Sequence, residues 1–161
     1  MSNDIIIKKA IPEDAIQIAS VLVDFYNMEN TEEAVHVFNQ EINKKHQYIL
    51  AIENDKIIGL VTWLIHGLPK HGLFELDRIC ILKESRGKGI GRILKNALID
   101  DAKKWYESVG ESIRKLYLLT HEDNNSAHAF YEKVGFIHET TLKDHYYKNK
   151  DERVYSIFFN N

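Results

Sequence analysis

The stretch Glu84–Leu94 reads ESRGKGIGRIL, and it joins an apolar run that predicts a strand to a periodic segment that predicts a helix. Glycine adopts backbone conformations that other residues avoid, and it leaves no side chain in the path of an approaching group. The first N–H groups of a helix lack partners within it and carry the positive end of its dipole. The stretch therefore predicts a phosphate-binding turn, and the alternative is a flexible connection alone. The residues that define the turn are Arg86, Gly87, Lys88, Gly89, Gly91 and Arg92.

Upstream of the turn, strand-like runs alternate with amphipathic segments. Pro12 suits the first turn of a helix whose apolar periodicity continues to Tyr26. Two apolar runs on either side of ENDK predict a hairpin, because paired strands are typically joined by a short polar turn. The predicted elements are a strand at 4–10, a helix at 12–28, a helix at 31–45 capped by Asn30 or Thr31, a hairpin turning at 53–56, a loop at 66–72 and a strand at 73–82.

Downstream of the turn, the apolar residues recur with a helical period. Ile90, Leu94, Leu98 and Trp105 fall on one face, which predicts a helix of about five turns. The order of elements predicts an α/β domain over residues 1–161, in which a mixed sheet of about seven strands carries helices on both faces. The remaining elements are a central strand at 115–120, a short helix at 127–134 capped by Asn124 or Asn125, and closing strands at 136–142 and 152–159.

Composition limits the classes of protein that the chain can represent. Its 161 residues suit one domain, and its net charge of −3 gives no reason to expect a general affinity for nucleic acid or anionic membranes. The N-terminal segment does not resemble a signal peptide, and no apolar run reaches the length of a membrane span. The single cysteine, Cys80, excludes a disulfide within the chain and favours a cytoplasmic location.

Several common ligand fingerprints do not fit the sequence. A G-x-G-x-x-G pattern that begins at Gly87 would place Arg92 at the third glycine, and no G-K-[ST] occurs. These mismatches disfavour nicotinamide dinucleotides and nucleoside triphosphates as ligands. The eight histidines show neither H-E-x-x-H nor paired Cys/His spacing, so no metal site is expected. The histidines interpreted as loop, strand-end or helix-surface residues are His66, His71, His121 and His128.

Two segments resemble motifs of one protein family. RGKGIG (86–91) resembles the R/Q-x-x-G-x-G/A turn of the GNAT superfamily of acetyl-CoA-dependent N-acetyltransferases. NNSAHAFYEKVGF (124–136) resembles the family's N-x-x-A-x-x-F/L-Y-x-x-x-G-F segment, and the element order resembles the GNAT fold. The resemblance implies that the turn grips the pyrophosphate of coenzyme A, while main-chain groups of the preceding strand pair with its pantetheine arm. The implied acetyl-CoA contacts are Ile79, Cys80, Ile81, Arg86, Gly87, Lys88, Gly89, Ile90, Gly91, Arg92, Asn124 and Tyr131.

The resemblance also implies transfer of an acetyl group to a primary amine by direct attack in a ternary complex. The amine must lose a proton before it attacks, and the departing thiolate must gain one. Glu75 is the first candidate base and Asp77 the second, since a carboxylate on this strand often has that role in the family. Either acid could instead pair with Arg78 or bind a cationic substrate. Tyr131 falls on the family's tyrosine and is the candidate acid, although it also keeps period with the apolar face of its helix.

Cys80 and Asn124 each have a second interpretation. A buried free cysteine usually behaves as a small apolar residue, so covalent catalysis by Cys80 is disfavoured. Asn124 could act as a plain helix cap, and this role is compatible with a contact to the pantetheine arm.

The acceptor is the least constrained part of the interpretation. A small-molecule amine such as a polyamine is favoured, and a protein N-terminus, a peptide or a lysine is the alternative. A coenzyme A-binding module without turnover is a third hypothesis, which the presence of Tyr131 with Glu75 and Asp77 disfavours. Proteins of this family are often dimers, so a homodimer is considered, although no apolar patch in the sequence marks an interface.

Overall fold

The computed structural model describes residues 4–26 and 28–160. Seven strands form a sheet of order β1-β2-β3-β4-β5-β7-β6, in which β4 and β5 pair in parallel and β5 and β7 pair antiparallel. The predicted α/β class with a mixed seven-stranded sheet is confirmed. The elements are β1 Ile6–Lys9, α1 Ala15–Phe25, α2 Thr31–Asn43, β2 Gln47–Glu53, β3 Lys56–His66, β4 Leu73–Ile81, α3 Ile90–Ser108, β5 Lys115–His121, α4 Asn125–Lys133, β6 Ile137–Tyr147 and β7 Lys150–Phe158.

The chain divides into two compact units. The first unit comprises Met1–Leu64 and Arg78–Asp100, and the second comprises Ile65–Asp77 and Asp101–Asn161. Strand β4 and helix α3 each contribute residues to both units.

In the first unit, α1 and α2 bury one face each. Ile18 and Leu22 of α1 and Phe38 of α2 are fully buried, as expected for amphipathic helices that cover a core. Asn30 caps α2, because its Oδ1 accepts the Glu33 N–H at 2.9 Å, which decides between the two predicted caps. The prediction that Tyr26 belongs to α1 is wrong: Tyr26 has an extended backbone after the helix ends, and Asn27 lies outside the described residues.

The β2–β3 hairpin turns at Asn54 and Asp55, where both residues have positive φ (51° and 60°). Two such residues in succession match the twist of antiparallel strands, and Asn and Asp tolerate this conformation better than most residues. The predicted turn is therefore confirmed. The predicted loop at 66–72 begins one residue too early, because His66 is the last residue of β3.

In the second unit, a buried tyrosine anchors α3. Tyr106 is fully buried and donates a hydrogen bond from its hydroxyl to the Leu73 carbonyl at 2.9 Å. The prediction placed Trp105 on the buried face, whereas Tyr106 occupies it and Trp105 is only partly buried. Gly72 is required where it stands, since a Cβ there would lie 2.4 Å from the Ser112 carbonyl oxygen.

Strand β6 extends further than predicted, to Tyr147 instead of Leu142. Its register with β7 shifts between Leu142 and Tyr147, and Asp144 within this interval has a positive φ of 48°. A bulge of this kind breaks the alternation on which a sequence-based strand boundary depends.

Candidate active site

The glycine turn of the first unit leaves its backbone open. Gly87 and Gly89 each have a φ of +79°, and a Cβ added to either would meet no atom within 4 Å. Helix α3 begins directly afterwards, and the Ile93 N–H donates to the Gly89 carbonyl at 3.2 Å. The amides before Ile93 therefore belong to the first helical turn, whose N–H groups have no partner inside the helix. Gly91 differs, because it is buried within α3 and has no positive φ.

The basic side chains around the turn have contacts of their own. The Arg86 Nε donates to the Ile81 carbonyl at 3.1 Å, and its guanidinium lies 5.3 Å from the centre of the Phe25 ring. The Lys88 Nζ lies 4.0 Å from a carboxylate oxygen of Glu53. Arg86 thus contacts the strand end and α1. In general, the free N–H groups of a helix N-terminus and the helix dipole favour an anion.

Arg78, in the part of β4 that belongs to the first unit, forms an ion pair with Glu41. The Arg78 guanidinium donates to both oxygens of Glu41 at 2.5 and 2.7 Å and lies 5.2 Å from the Tyr26 ring centre. The Arg78 N–H donates to the Thr62 hydroxyl at 3.0 Å. Arg78 therefore has a carboxylate partner of its own in α2.

Cys80 has the surroundings of a core residue. It is 3% exposed, and burial raises the pKa of its thiol to about 12, although Arg78 and a hydrogen bond with Tyr26 act in the opposite direction. A thiol held protonated in this way is a poor nucleophile. The structure thus agrees with the interpretation of Cys80 as an apolar residue.

In the second unit, Glu75 lies among donors from the strands on both sides of β4. Its Oε2 accepts a hydrogen bond from the His66 Nε2 at 2.6 Å. It pairs in register with Tyr117 of β5, and the pKa of the Tyr117 hydroxyl is raised, chiefly by burial and further by the charge of Glu75 and a hydrogen bond to it. Sequence reasoning missed His66 and Tyr117, because their proximity to Glu75 depends on strand pairing.

Tyr146 lies within the electrostatic influence of three carboxylates. Burial raises the pKa of its hydroxyl, and the charges of Glu75, Glu152 and Asp77 raise it further. Asp77 is exposed, whereas Glu152 is 2% exposed. The negative charges of these three carboxylates therefore act together on the Tyr146 hydroxyl.

Asn124 and Tyr131 occupy the two ends of α4. Asn124 caps the helix, since its Oδ1 accepts the Ala127 N–H at 3.3 Å. Tyr131 is half-buried, with its ring centre 5.7 Å from that of Phe136 and 6.0 Å from that of Tyr155. The apolar body of Tyr131 is thus packed, which restricts where its hydroxyl can point.

One histidine of the second unit differs from its predicted role, and His121, at the predicted strand end, has a partner that was not predicted. His128 was predicted on the helix surface, but it is 5% exposed and its Nε2 donates to the His121 carbonyl at 2.9 Å. The His121 Nδ1 forms a very short contact with the buried carboxylate of Glu152, which stands opposite it in the β5–β7 register. Nothing in the local sequence indicates this pair, because the two residues are 31 positions apart.

Comparison with known proteins places these features in a family. The sequence model of the Acetyltransferase (GNAT) family matches residues 16–136. N-alpha-acetyltransferase 30 of Schizosaccharomyces pombe is 31% identical over 114 residues, which are 69% of this chain and 71% of that protein. Spermidine N(1)-acetyltransferase of Vibrio cholerae is 27% identical over 124 residues, which are 75% and 67% of the two chains.

A solved structure shows the same fold. The dodecameric spermidine N-acetyltransferase of Vibrio cholerae superposes with a TM-score of 0.73 at 22% identity, covering 96% of this chain and 93% of that one. None of the helices within residues 4–26 and 28–160 has the length and apolar character needed to span a membrane. Since the family match covers more than half of the sequence and includes both the glycine turn and the Asn124–Phe136 segment, the chain belongs to the GNAT acetyltransferase family.

Proposed function

We propose that residues 1–161 act as a single N-acetyltransferase domain that moves an acetyl group from acetyl-CoA to a primary amine. The observation that carries the proposal is the open backbone of Gly87 and Gly89 at the N-terminus of α3. The favoured acceptor is a small-molecule amine such as a polyamine, and the expected compartment is the cytoplasm. Attack is direct, in a ternary complex, because Cys80 is buried and protonated.

The donor is held mainly by main-chain groups. The first-turn amides of α3 favour a pyrophosphate, because they offer unpaired N–H groups backed by the helix dipole. Main-chain groups of Ile79, Cys80 and Ile81 pair with the amides of the pantetheine arm, and Asn124 adds a side-chain contact. The buried side chain of Cys80 fits this role, since only its backbone is required.

The proton movements involve Glu75 and Tyr131. Acetyl-CoA supplies a thioester whose sulfur leaves as a thiolate. Glu75 accepts the proton that the acceptor ammonium must lose before it attacks, and the second nitrogen proton, lost as the amide forms, passes to solvent. Asp77 is the second candidate base. Tyr131 donates a proton to the sulfur as the carbon–sulfur bond breaks. The free thiol has a pKa of about 8.5 against about 10 for tyrosine, so this transfer is uphill by about 1.5 pKa units and is completed when the tyrosinate takes a proton from solvent.

Electrostatics favour a cationic small amine as the acceptor. The carboxylates of Glu75, Asp77 and Glu152 act together on Tyr146 in the second unit. A polyamine presents several ammonium groups and so matches more than one carboxylate. The relative that acts on spermidine supports this choice.

A peptide acceptor is the second candidate. The relative named as an N-alpha-acetyltransferase is 31% identical, and Tyr146 and Tyr147 are 61% and 63% exposed on β6, where they could contact an extended peptide. A module that binds coenzyme A without turnover is the third, and transfer to any acceptor would exclude it.

Binding and transfer assays test the proposal in sequence. Calorimetric titration with acetyl-CoA, with NADH and ATP as controls, should show selective binding of acetyl-CoA. Release of the coenzyme A thiol is then measured over a panel containing spermidine, simple diamines, amino acids and short peptides. Acetylation of peptides alone would replace the favoured acceptor, and a folded protein that binds no acetyl-CoA would overturn the whole proposal.

Assembly is a separate part of the proposal. A homodimer is the assembly considered from the sequence, and the spermidine relative forms a dodecamer. Light scattering of the purified chain with and without acetyl-CoA measures the mass directly, and a monomer under both conditions would contradict this expectation.

A further inference from the structure

The loop after β3 holds His66 next to Glu75. The Leu68 N–H donates to the His71 Nδ1 at 3.0 Å, and the Gly72 carbonyl accepts the Arg114 N–H at 2.8 Å. At Gly67, with a φ of +65°, a Cβ would lie 2.5 Å from the His71 ring. The short connection is therefore tightly fixed, and it fixes the end of β3 relative to the start of β4.

The contact between the two side chains is close and partly shielded. The distance from the His66 Nε2 to the Glu75 Oε2 is 2.6 Å, and the side chains are 35% and 14% exposed. The shielding from solvent strengthens this hydrogen bond relative to one in water. The imidazole is the more solvent-accessible member of the pair.

A second donor approaches Glu75 from the opposite strand. Tyr117 of β5 stands beside Glu75 in register, and its ring centre lies 5.3 Å from that of His66. The pKa of the Tyr117 hydroxyl is raised, so this hydroxyl stays protonated. The hydroxyl therefore donates to Glu75 and does not compete for the proton of the substrate. Glu75 is thus flanked by His66 from β3 and by Tyr117 from β5.

From this arrangement we infer that His66 is a positioning residue, which orients Glu75 as the base before the amine arrives. The inference rests on the proposed function, because Glu75 acts as a base only if this chain transfers an acyl group to an amine. The Nε2–H occupies one lone pair of Oε2 and restricts rotation of the carboxylate. Preorganisation of this kind raises kcat with little effect on the binding of acetyl-CoA.

The test compares His66→Leu with His66→Gln. Leucine removes the donor, whereas glutamine places an amide N–H near the position of the imidazole Nε2. With the panel amine that reacts fastest, we expect His66→Leu to lower kcat by about 10- to 100-fold and to leave the acetyl-CoA dissociation constant within about twofold. His66→Gln should recover much of the lost rate. The matched control is His36→Leu, an exposed position on α2, which should behave as wild type.

A double-mutant cycle separates positioning from a general structural effect. If His66 acts through Glu75, adding His66→Leu to Glu75→Gln should cause no further loss of rate. Losses that multiply in the double variant, equal rates for the leucine and glutamine variants, or wild-type kcat in His66→Leu would each overturn the inference. Melting temperatures of all variants identify any that fail to fold, and His66→Gln remains as the second test in that case.

The results of these assays distinguish a failure of this inference from a failure of the proposed function. A wild-type protein that acetylates no amine or peptide in the panel removes the proposed function and the inference together. A wild-type protein that transfers acetyl groups while His66→Leu keeps its full kcat removes the inference alone.

Discussion

Gly87 and Gly89 show how two residues can leave the backbone open at a helix N-terminus without a charged side chain of their own. Both occupy the left-handed region at +79°, and both face open space. Residues with a Cβ adopt this conformation at a cost in free energy, so substitution affects the backbone as well as the space above it. The neighbouring Arg86 and Lys88 contact other parts of the first unit, and this leaves the backbone as the principal element of the turn.

We predict that Gly89→Glu abolishes acetyl-CoA binding, because the new carboxylate occupies the open space and repels a phosphate. Gly110→Glu is the matched control, since Gly110 also has a positive φ (78°) and no neighbour within 4 Å, but follows the C-terminal end of α3. Both variants bear similar backbone strain, and the control should keep its affinity in calorimetry. Binding of acetyl-CoA by a folded Gly89→Glu protein would contradict the assignment of the turn.

For Tyr131, we predict that Tyr131→Phe lowers kcat by about 100-fold while the acetyl-CoA affinity changes little, as expected for loss of a general acid. The ring contacts with Phe136 and Tyr155 survive this change, so the melting temperature should hold. Tyr106→Phe is the contrasting variant: it leaves the Leu73 carbonyl without its donor and should cost about 1 kcal/mol of stability at normal kcat. Steady-state kinetics showing equal kcat for Tyr131→Phe and wild type would assign Tyr131 to packing only.

The raised pKa of Cys80 gives a prediction about pH. Its thiol titrates at about 12 when folded, against 9.0 for the ordinary group, so the folded state binds this proton more tightly. Stability from this residue is therefore complete below about pH 9 and is lost as the pH rises towards 12. The free energy of unfolding, measured in urea, should fall less between pH 8 and pH 10.5 for Cys80→Ala than for wild type. An identical fall in both proteins would show that another group causes the pH dependence.

At the scale of elements, α2 illustrates how one cap fixes a helix start. The Asn30 side chain satisfies one of the N–H groups that the helix itself leaves unpaired. The buried Ala34 and Phe38 then follow at helical spacing and attach α2 to the core of the first unit. The start of the helix is thus set locally, and its packing is set by the apolar face.

We predict that Asn30→Ala lowers the free energy of unfolding by about 1 kcal/mol through loss of this cap. Asn39→Ala serves as the control, because Asn39 is exposed in the interior of α2, where alanine favours the helix. Urea denaturation followed by circular dichroism compares the two variants. An Asn30→Ala protein as stable as wild type would show that the Glu33 N–H is equally well satisfied by water.

Sequence patterns predicted elements well where the determinants are local. The Asn54–Asp55 turn depends on a few adjacent residues and was predicted from the sequence. Asn30 and Asn124 were each one of two adjacent candidates for a helix cap. Trp105 was predicted at the buried position that Tyr106 occupies. Late in a long helix, a small error in the helical period moves the predicted buried position by one residue. The end of β6 was misplaced because the bulge around Asp144 leaves no alternation to follow.

At the scale of the whole molecule, the family emerged from two short motifs, while the surroundings of the candidate base did not. His66 and Glu75 are nine positions apart and meet only because a loop returns the chain. Glu152 and His121 meet through a strand pairing across 31 positions. Such contacts depend on the register of the folded sheet, which a single sequence encodes only indirectly. The net charge of −3 similarly gave no sign of the proposed anion site, because a local site does not depend on the net charge of the chain.

The buried state of Cys80 also makes the protein convenient to label. The chain contains no other cysteine, and this one is shielded from solvent. A cysteine introduced at the exposed Lys148, in the turn between β6 and β7, would therefore be the only reactive thiol. A fluorophore attached there through maleimide chemistry would test the proposed contact of an acceptor with Tyr146 and Tyr147 without any change to the native core.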